Sequence, residues 1–309
     1  MATTGTSTFN LDMNDLIEEA FERCGQELRT GYDFRTARRS LNLLSIEWAN
    51  RGINLWTIEQ GQIPLYQNQS IYSLPVDTID LLDQVVRTGT GTNQTDININ
   101  RISESTYSTI PNKNATGRPI QVWINRQSGE SNPTTATLTA TIGSTDTTIA
   151  ITGASTLPSA GFIKLDNETI GYSAISGNNL LYCGRGQNST TAASHTAGAS
   201  VTLQNLPNIN IWPIPNQGAV GNPYYMFVYW RMRRVQDAGT GTKTQDIPFR
   251  FIECMVAGLA YKMAMKLPNM DPNRLAVLKA EYDMQWQLAS DEDRDKASLR
   301  FVPRSMYYA

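Results

Sequence analysis

The side chains best suited to chemistry are one histidine, His195, three cysteines, Cys24, Cys183 and Cys254, and a run of carboxylates, Asp291, Glu292, Asp293 and Asp295. One imidazole excludes metal sites built from several histidines and leaves any Ser-His-Asp or Cys-His relay resting on a residue in a Thr/Ala/Gly loop. Neither Ser194 nor Cys183 stands in a nucleophile motif, so His195 reads as structural. The cysteines are odd in number and widely spaced, and two fall on apolar helical faces. That pattern reads as buried thiols made in a reducing cytoplasm rather than as disulfides or metal ligands. The carboxylates alternate with Arg294 and Lys296 and read as a solvated helix face, not as the acid and base of a glycosidase. Gly239-Thr240-Gly241-Thr242-Lys243-Thr244 puts Thr242 where a Walker loop needs glycine, and Gly89-Thr90-Gly91 lacks the third glycine and following helix of a dinucleotide site. No catalytic, cofactor-binding or metal-ligating residue is expected, and no enzymatic activity.

What remains is recognition chemistry. Arg35, Arg38 and Arg39 form one basic cluster and Arg231, Arg233 and Arg234 another. Either set could pair with nearby acids, or contact phosphate or a neighbouring subunit. Tyr225, Phe227 and Tyr229 share a face with Arg231 and Arg233, which favours an interface, so Arg35, Arg38, Arg39, Arg231 and Arg233 are the candidate inter-subunit residues. Beyond the last helix, residues 298–309 carry Phe301, Val302, Pro303, Arg304, Met306, Tyr307 and Tyr308. Aromatics on a terminal segment predict an arm that docks on a partner and orders as it binds.

The elements that must position these groups follow from hydrophobic period. Phe249, Ile252, Met255, Val256, Leu259, Ala260, Met263 and Leu267 recur at the helical spacing, which predicts a helix over 247–267 with Asp246 as its cap, Pro248 in its first turn and Pro268 as its stop. Leu275, Leu278, Tyr282, Trp286 and Ala289 predict a second helix over 272–296, capped by Asp271, and the short connection makes the two an antiparallel hairpin. Gly258, with Ala257, Ala260 and Ala264, allows a neighbouring helix to approach closely. Near the other end, Leu16, Ile17, Ala20, Phe21 and Cys24 predict a helix over 12–25, and Phe34, Ala37, Leu41, Leu44 and Trp48 another over 33–51, capped by Asp33. Four apolar stripes that each need a partner predict an antiparallel helical bundle drawn from both chain ends.

After Gly52 the period changes to alternation, and 53–87 reads as a β-meander. The strand Ile120 to Asn125 finds its partner late, in Ile209 to Ile214, and Tyr224 to Val235 adds a long alternating strand. Between those partners, residues 131–204 are rich in Thr and Ser and read as an inserted all-β domain, sandwich- or barrel-like. The class is α+β: a core of 1–130 and 205–309, and an insert of 131–204. At 309 residues the chain has room for two domains, and at 17% charged residues with net charge −2 nothing global predicts tight binding to nucleic acid or anionic membranes. Met1 to Thr8 reads as a flexible polar tail without a secretory signal, and no stretch approaches a membrane span.

Several segments together resemble the head-to-tail adaptor, or connector, proteins of short-tailed bacteriophages, the tail tubular protein A type. TARRSLNLLSIEWANRGINLWTIEQ, from Thr36 to Gln60, is similar to the family's second helix and first strand. GRPIQVWINRQ with LPNINIWPIPNQ is similar to its paired strands, and YYMFVYWRMRRV, IPFRFIECMVAGLAYKMAMKLP and LKAEYDMQWQLASDEDRDK complete the likeness. GFIKLDNETIGYSAISGNNLLYCGRG is similar to a β-module of phage tail proteins, and its place inside an adaptor departs from the minimal family pattern. The resemblance implies a virion structural protein of the neck, made in the host cytoplasm. It implies a dodecameric ring between portal protein and tail nozzle, double-stranded DNA passing through its channel without sequence recognition, and contact with tail fibres. It also implies that the arm residues Phe301, Val302, Arg304, Met306, Tyr307 and Tyr308 reach the portal. Two other readings stay open: an adhesin whose β-module binds a host glycan or fibre, and a tail-associated cell-wall hydrolase.

Overall fold

The computed structural model describes residues 5, 11–27, 31–52, 55–219, 221–268 and 270–293. The expected arm, 298–309, the tail at Met1 to Thr8 apart from Gly5, and the last residues of the predicted 272–296 helix lie outside the described residues. The fold is mixed α+β, and its helices among the described residues are α1 (Met13–Cys24), α2 (Gly31–Arg51), α3 (Glu104–Ser108), α4 (Ile252–Ala264) and α5 (Pro272–Glu292). None of them is long and apolar enough to cross a membrane. The chain divides into two compact units, one within Met1–Thr57 and Val235–Ala309, the other Ile58–Arg234.

The first unit is helical. Asp12 accepts the Asp15 N–H at 3.0 Å to start α1, and Gly25, in the left-handed region at φ 74°, returns its N–H to Glu22 to end it. The start of α2 falls at Gly31, so Asp33 sits inside the first turn rather than capping it, where its charge still meets the positive helix end. The helix predicted over 247–267 is shorter. Pro248 holds extended backbone at ψ 149°, a single 3₁₀ turn Phe249–Phe251 follows, and α4 begins only at Ile252. The expected cap Asp246 instead accepts the Gln236 N–H through its carboxylate and the Trp56 indole N–H through its carbonyl, at 3.0 and 2.9 Å. At the far end the Lys266 and Leu267 N–H groups both turn back to the Met263 carbonyl, closing the helix before Pro268 acts. Asp271 caps α5 as expected, accepting the Asn273 N–H at 3.0 Å with Pro272 behind it.

Side chains of α1, α2, α4 and α5 share one core, including Leu16, Phe21, Leu41, Leu44, Met255, Leu259 and Tyr282. Helix α4 is buried through most of its circumference and touches the other three. A Cβ on Gly258 would stand 2.8 Å from the Tyr282 ring and 3.0 Å from Leu44, so the glycine sets the closest approach of α2 and α5 to α4. Within this core the Trp48 indole N–H donates to the Tyr282 hydroxyl at 3.2 Å, and that hydroxyl donates to Glu47 at 3.2 Å.

The second unit is built from sheets. Strand Tyr225–Arg233 lies between Ile58–Leu65 and Thr78–Thr88, with Thr95–Asn98 beyond, all antiparallel. Ile71–Ser73 leaves that sheet for another, next to Asn208–Trp212, Gln121–Asn125 and the parallel edge strand Asn100–Ile102. The sequential strands therefore do not form the meander expected from their spacing. Tyr225–Arg233 is apolar on both faces, buried at Tyr225, Phe227 and Tyr229 on one and at Val228 on the other, and it takes the centre of its sheet rather than an edge. The predicted pairing across the long gap is present, Ile124 facing Ile209 and Val122 facing Ile211. Leu65, Leu81, Val122, Ile209 and Phe227 belong to the core these two sheets share.

Residues 131–204 carry a five-stranded antiparallel sheet centred on Gly161–Leu165 and a three-stranded one, with their own core of Leu138, Ile149, Ile163, Ile170, Tyr172 and Leu180. Neither sheet closes into a barrel among the described residues. This segment belongs to the same compact unit as its flanking strands. Ile71, Phe162 and Leu206 pack together across the junction, and the Ser70 N–H donates to Ser173 Oγ at 3.0 Å and the Asn188 N–H to Ser73 Oγ at 3.0 Å.

Candidate functional site

The chemically capable side chains among the described residues fall into a few clusters. The hairpin Gly161–Leu165 and Glu168–Tyr172 turns at Asp166, which adopts φ 49°, and so brings Asp166 and Glu168 to opposite sides of His195. His195 Nδ1 lies 2.8 Å from Asp166 Oδ2, and Nε2 lies 2.9 Å from Glu168 Oε2. The Glu168 carboxylate is 1% exposed and receives both Nε and an Nη of Arg185 at 2.8 Å, together with the N–H groups of Gly186 and Ala193 at 2.9 Å. Burial pushes this carboxyl up, but the Arg185 fork, the two N–H donors and His195 more than offset it and hold it at about 2. Arg185 also donates to the carbonyls of Gly143 and Ala193, which ties three loops together. Both oxygens of Glu168 accept from donors of its own chain, an arrangement that fixes the three loops around His195.

The three thiols are buried. Burial pushes Cys24 up to about 11 and both Cys183 and Cys254 up to about 12, and Cys24 donates to the Ala260 carbonyl at 3.2 Å. No group of three His, Cys, Asp or Glu residues among those described is placed to hold a metal ion.

The two arginine clusters differ sharply. Arg231 is 9% exposed and its guanidinium is bound within the chain, to Glu59 at 2.9 Å, Asp77 at 2.6 Å and Thr78 Oγ1 at 3.0 Å; Arg233 reaches Glu59 at 2.6 Å. Tyr225, Phe227 and Tyr229 on the same strand are core residues, so the aromatic face read as a partner surface points into the protein. Alternation alone identifies a two-faced strand and does not say which face is covered.

Arg35, Arg38 and Arg39, by contrast, stand exposed on α2 and line a cleft of about 480 Å³ with Tyr32 and Asn42. Arg38 donates to the Ala238 carbonyl at 3.1 Å and Arg39 to Thr36. The ammonium of Lys266 is pushed down by burial and by the nearby charges of Arg39 and Lys262, which marks local crowding of positive charge. One helical turn at a time along the same outward face come Tyr32, Arg35, Arg39, Leu43 and Ile46, and Tyr32, Leu43 and Ile46 are each more than half exposed. A second outward strip was not read from the sequence. On α5, beside the buried stripe of Leu278, Tyr282 and Ala289, stand Val277, Met284 and Leu288, each more than half exposed, flanked by exposed Asp283 and Asp291. Its signal is a second helical period, offset by about a third of a turn from the core stripe.

One further cleft, about 600 Å³, lies in the second unit between the end of Gln121–Asn125 and the start of α3. Trp123 forms one wall, stacked on Tyr107 at 5.0 Å, and Arg101 and Arg126 are both held by Asp80, at 2.8 and 2.6 Å. Glu104 is the carboxylate among its lining residues, so it lacks the facing pair that glycoside hydrolysis needs.

No protein-family model matches the chain, and no curated protein matches its sequence.

Proposed function

We propose that the chain is a virion structural protein, a head-to-tail adaptor that forms a ring between portal and tail nozzle around a channel for DNA. In this reading the helices of both chain ends make an antiparallel bundle that forms the body of the ring. Residues 131–204 make a sandwich-like outer domain facing nozzle or fibres, and the arm at Phe301, Val302, Arg304, Met306, Tyr307 and Tyr308 reaches the portal. The observation that carries the reading is the pair of exposed strips on α2 and α5. They are different from one another, and a surface with two unlike sticky patches is what a closed ring of identical subunits requires. The segment likeness to tail tubular adaptors and the absence of strong net positive charge, which lets DNA pass without being gripped, support it further. Electron microscopy of the purified chain, alone and with the portal protein, tests it. Rings with a central hole in either sample are the expected result. A particle that stays monomeric in both overturns the reading and directs attention to glycan and peptidoglycan binding.

A further inference from the structure

We infer that the α2 strip of one copy docks against the α5 strip of a second copy, antiparallel, with Arg35 and Arg39 of one set against Asp283 and Asp291 of the other. This deepens the adaptor reading and rests on it for the closure of the ring, while the contact itself is argued from the helices alone.

Both strips back onto the same core. The side of α2 opposite Tyr32, Arg35, Arg39, Leu43 and Ile46 buries Ala37, Leu41, Leu44 and Trp48, and on α5 the exposed Val277, Met284 and Leu288 lie about a third of a turn from the buried Leu278, Tyr282 and Ala289. Each strip therefore looks away from the core they share, and the two cannot meet within one molecule. Their lengths match: Tyr32 to Ile46 and Val277 to Asp291 each run roughly 21 Å along the axis at 1.5 Å per residue.

Their chemistry is complementary in order as well as in kind. On α2 the basic residues occupy the N-terminal half of the strip and Leu43 and Ile46 the C-terminal half. On α5 Val277, Met284 and Leu288 run along the strip and Asp291 stands at its C-terminal end. Laid antiparallel, Leu43 and Ile46 meet the Met284 and Val277 end, and the guanidiniums meet Asp291 and the negative end of the α5 dipole. Three other charges near the strips are engaged within the chain: Glu281 faces Arg23 at 3.1 Å, Arg274 donates to the Arg23 carbonyl at 2.8 Å, and Arg38 is held at Ala238. The crowding that depresses Lys266 is relieved when carboxylates of a neighbour enter the three-arginine cleft. Because the two patches differ, the contact is heterologous, and repeated application of one rotation builds a ring if it closes.

Two charge-reversed chains test the contact, Arg35→Glu with Arg39→Glu, and Asp283→Lys with Asp291→Lys. Assembly is followed by analytical ultracentrifugation and electron microscopy, with circular dichroism as the check on folding. Each chain alone is expected to self-associate at least tenfold more weakly than wild type. An equimolar mixture is expected to regain assembly, because every junction then joins either two native or two reversed faces; recovery also shows that both chains are folded. In wild type, raising salt from 0.05 to 0.5 M is expected to weaken association. Rings that persist unchanged in either variant, or a mixture that stays apart, overturn the contact while leaving the adaptor reading intact. Swap-sensitive open chains that never close overturn the ring and leave the contact standing. A wild-type chain that remains monomeric with and without portal overturns both.

Discussion

Replacing Arg185 by Met should unhinge the module of residues 131–204 more than any other single loss of charge. The Arg185 side chain is 7% exposed and the Glu168 carboxylate 1%, so neither can turn to solvent when its partner goes. The substitution removes two charge-assisted bonds of 2.8 Å to Glu168 and the donors to the Gly143 and Ala193 carbonyls. It leaves a buried carboxylate held only by His195 and two N–H groups, a loss of about 3 to 5 kcal/mol. For a unit of this size that corresponds to a fall in Tm of roughly 6 to 20 °C. Urea denaturation and calorimetry measure it. The companion variant Glu168→Gln with Arg185→Met should recover a good part of the loss, since it leaves no unpaired buried charge. The pH dependence follows the same carboxylate. Its folded value of about 2 lies below the ordinary 4.5, so its contribution is complete above about 4.5 and fades as pH falls from there towards 2. A loss below about 1 kcal/mol for Arg185→Met, or a double variant no better than the single, would refute the assignment of the ion cluster as the module's clasp.

Two other outcomes follow. Gly258→Leu should lower stability by about 1 to 3 kcal/mol or more and separate α2 and α5 from α4, because even a Cβ there meets Tyr282 at 2.8 Å; an unchanged denaturation midpoint argues against the close packing. The three thiols, buried and pushed up to about 11 or 12, should react with a thiol reagent at pH 8 only when denaturant is added, and rapid labelling of the native chain counts against their burial.

Local signals carried the helices well. Asp12 with Gly25, and Asp271 with Pro272, are caps whose partners lie within a few residues, so sequence spacing determines them. The start of α4 was harder, because Pro248 is compatible with a first helical turn and with the extended residue before a 3₁₀ turn, and the choice depends on what Asp246 bonds. Strand partners depend on distant residues. The alternation of Tyr225, Phe227, Tyr229 and Arg231 marks a strand but not which strands flank it, which hides both its central place and the internal pairing of Arg231. The His195 cluster is assembled by a hairpin from positions 166, 168, 185 and 195, a spacing that resembles no motif. The outward strip of α5 was legible in principle but was masked by the stronger core stripe on the same helix.

The central place of Tyr225–Arg233 also bears on how the chain folds as it is made. Ile58–Leu65 and Thr78–Thr88 flank a strand synthesised about 160 residues after the first of them. At ribosomal speeds of 5 to 20 residues per second their inner edges wait on the order of 8 to 30 s. Glu130–Thr137 and Ser200–Asn205 pair much sooner, and α1 and α2 wait longest, for α4. Folding during synthesis therefore runs from the middle of the chain outwards, and a stalled or truncated product presents two unpaired strand edges to its neighbours, the surface on which aggregation starts.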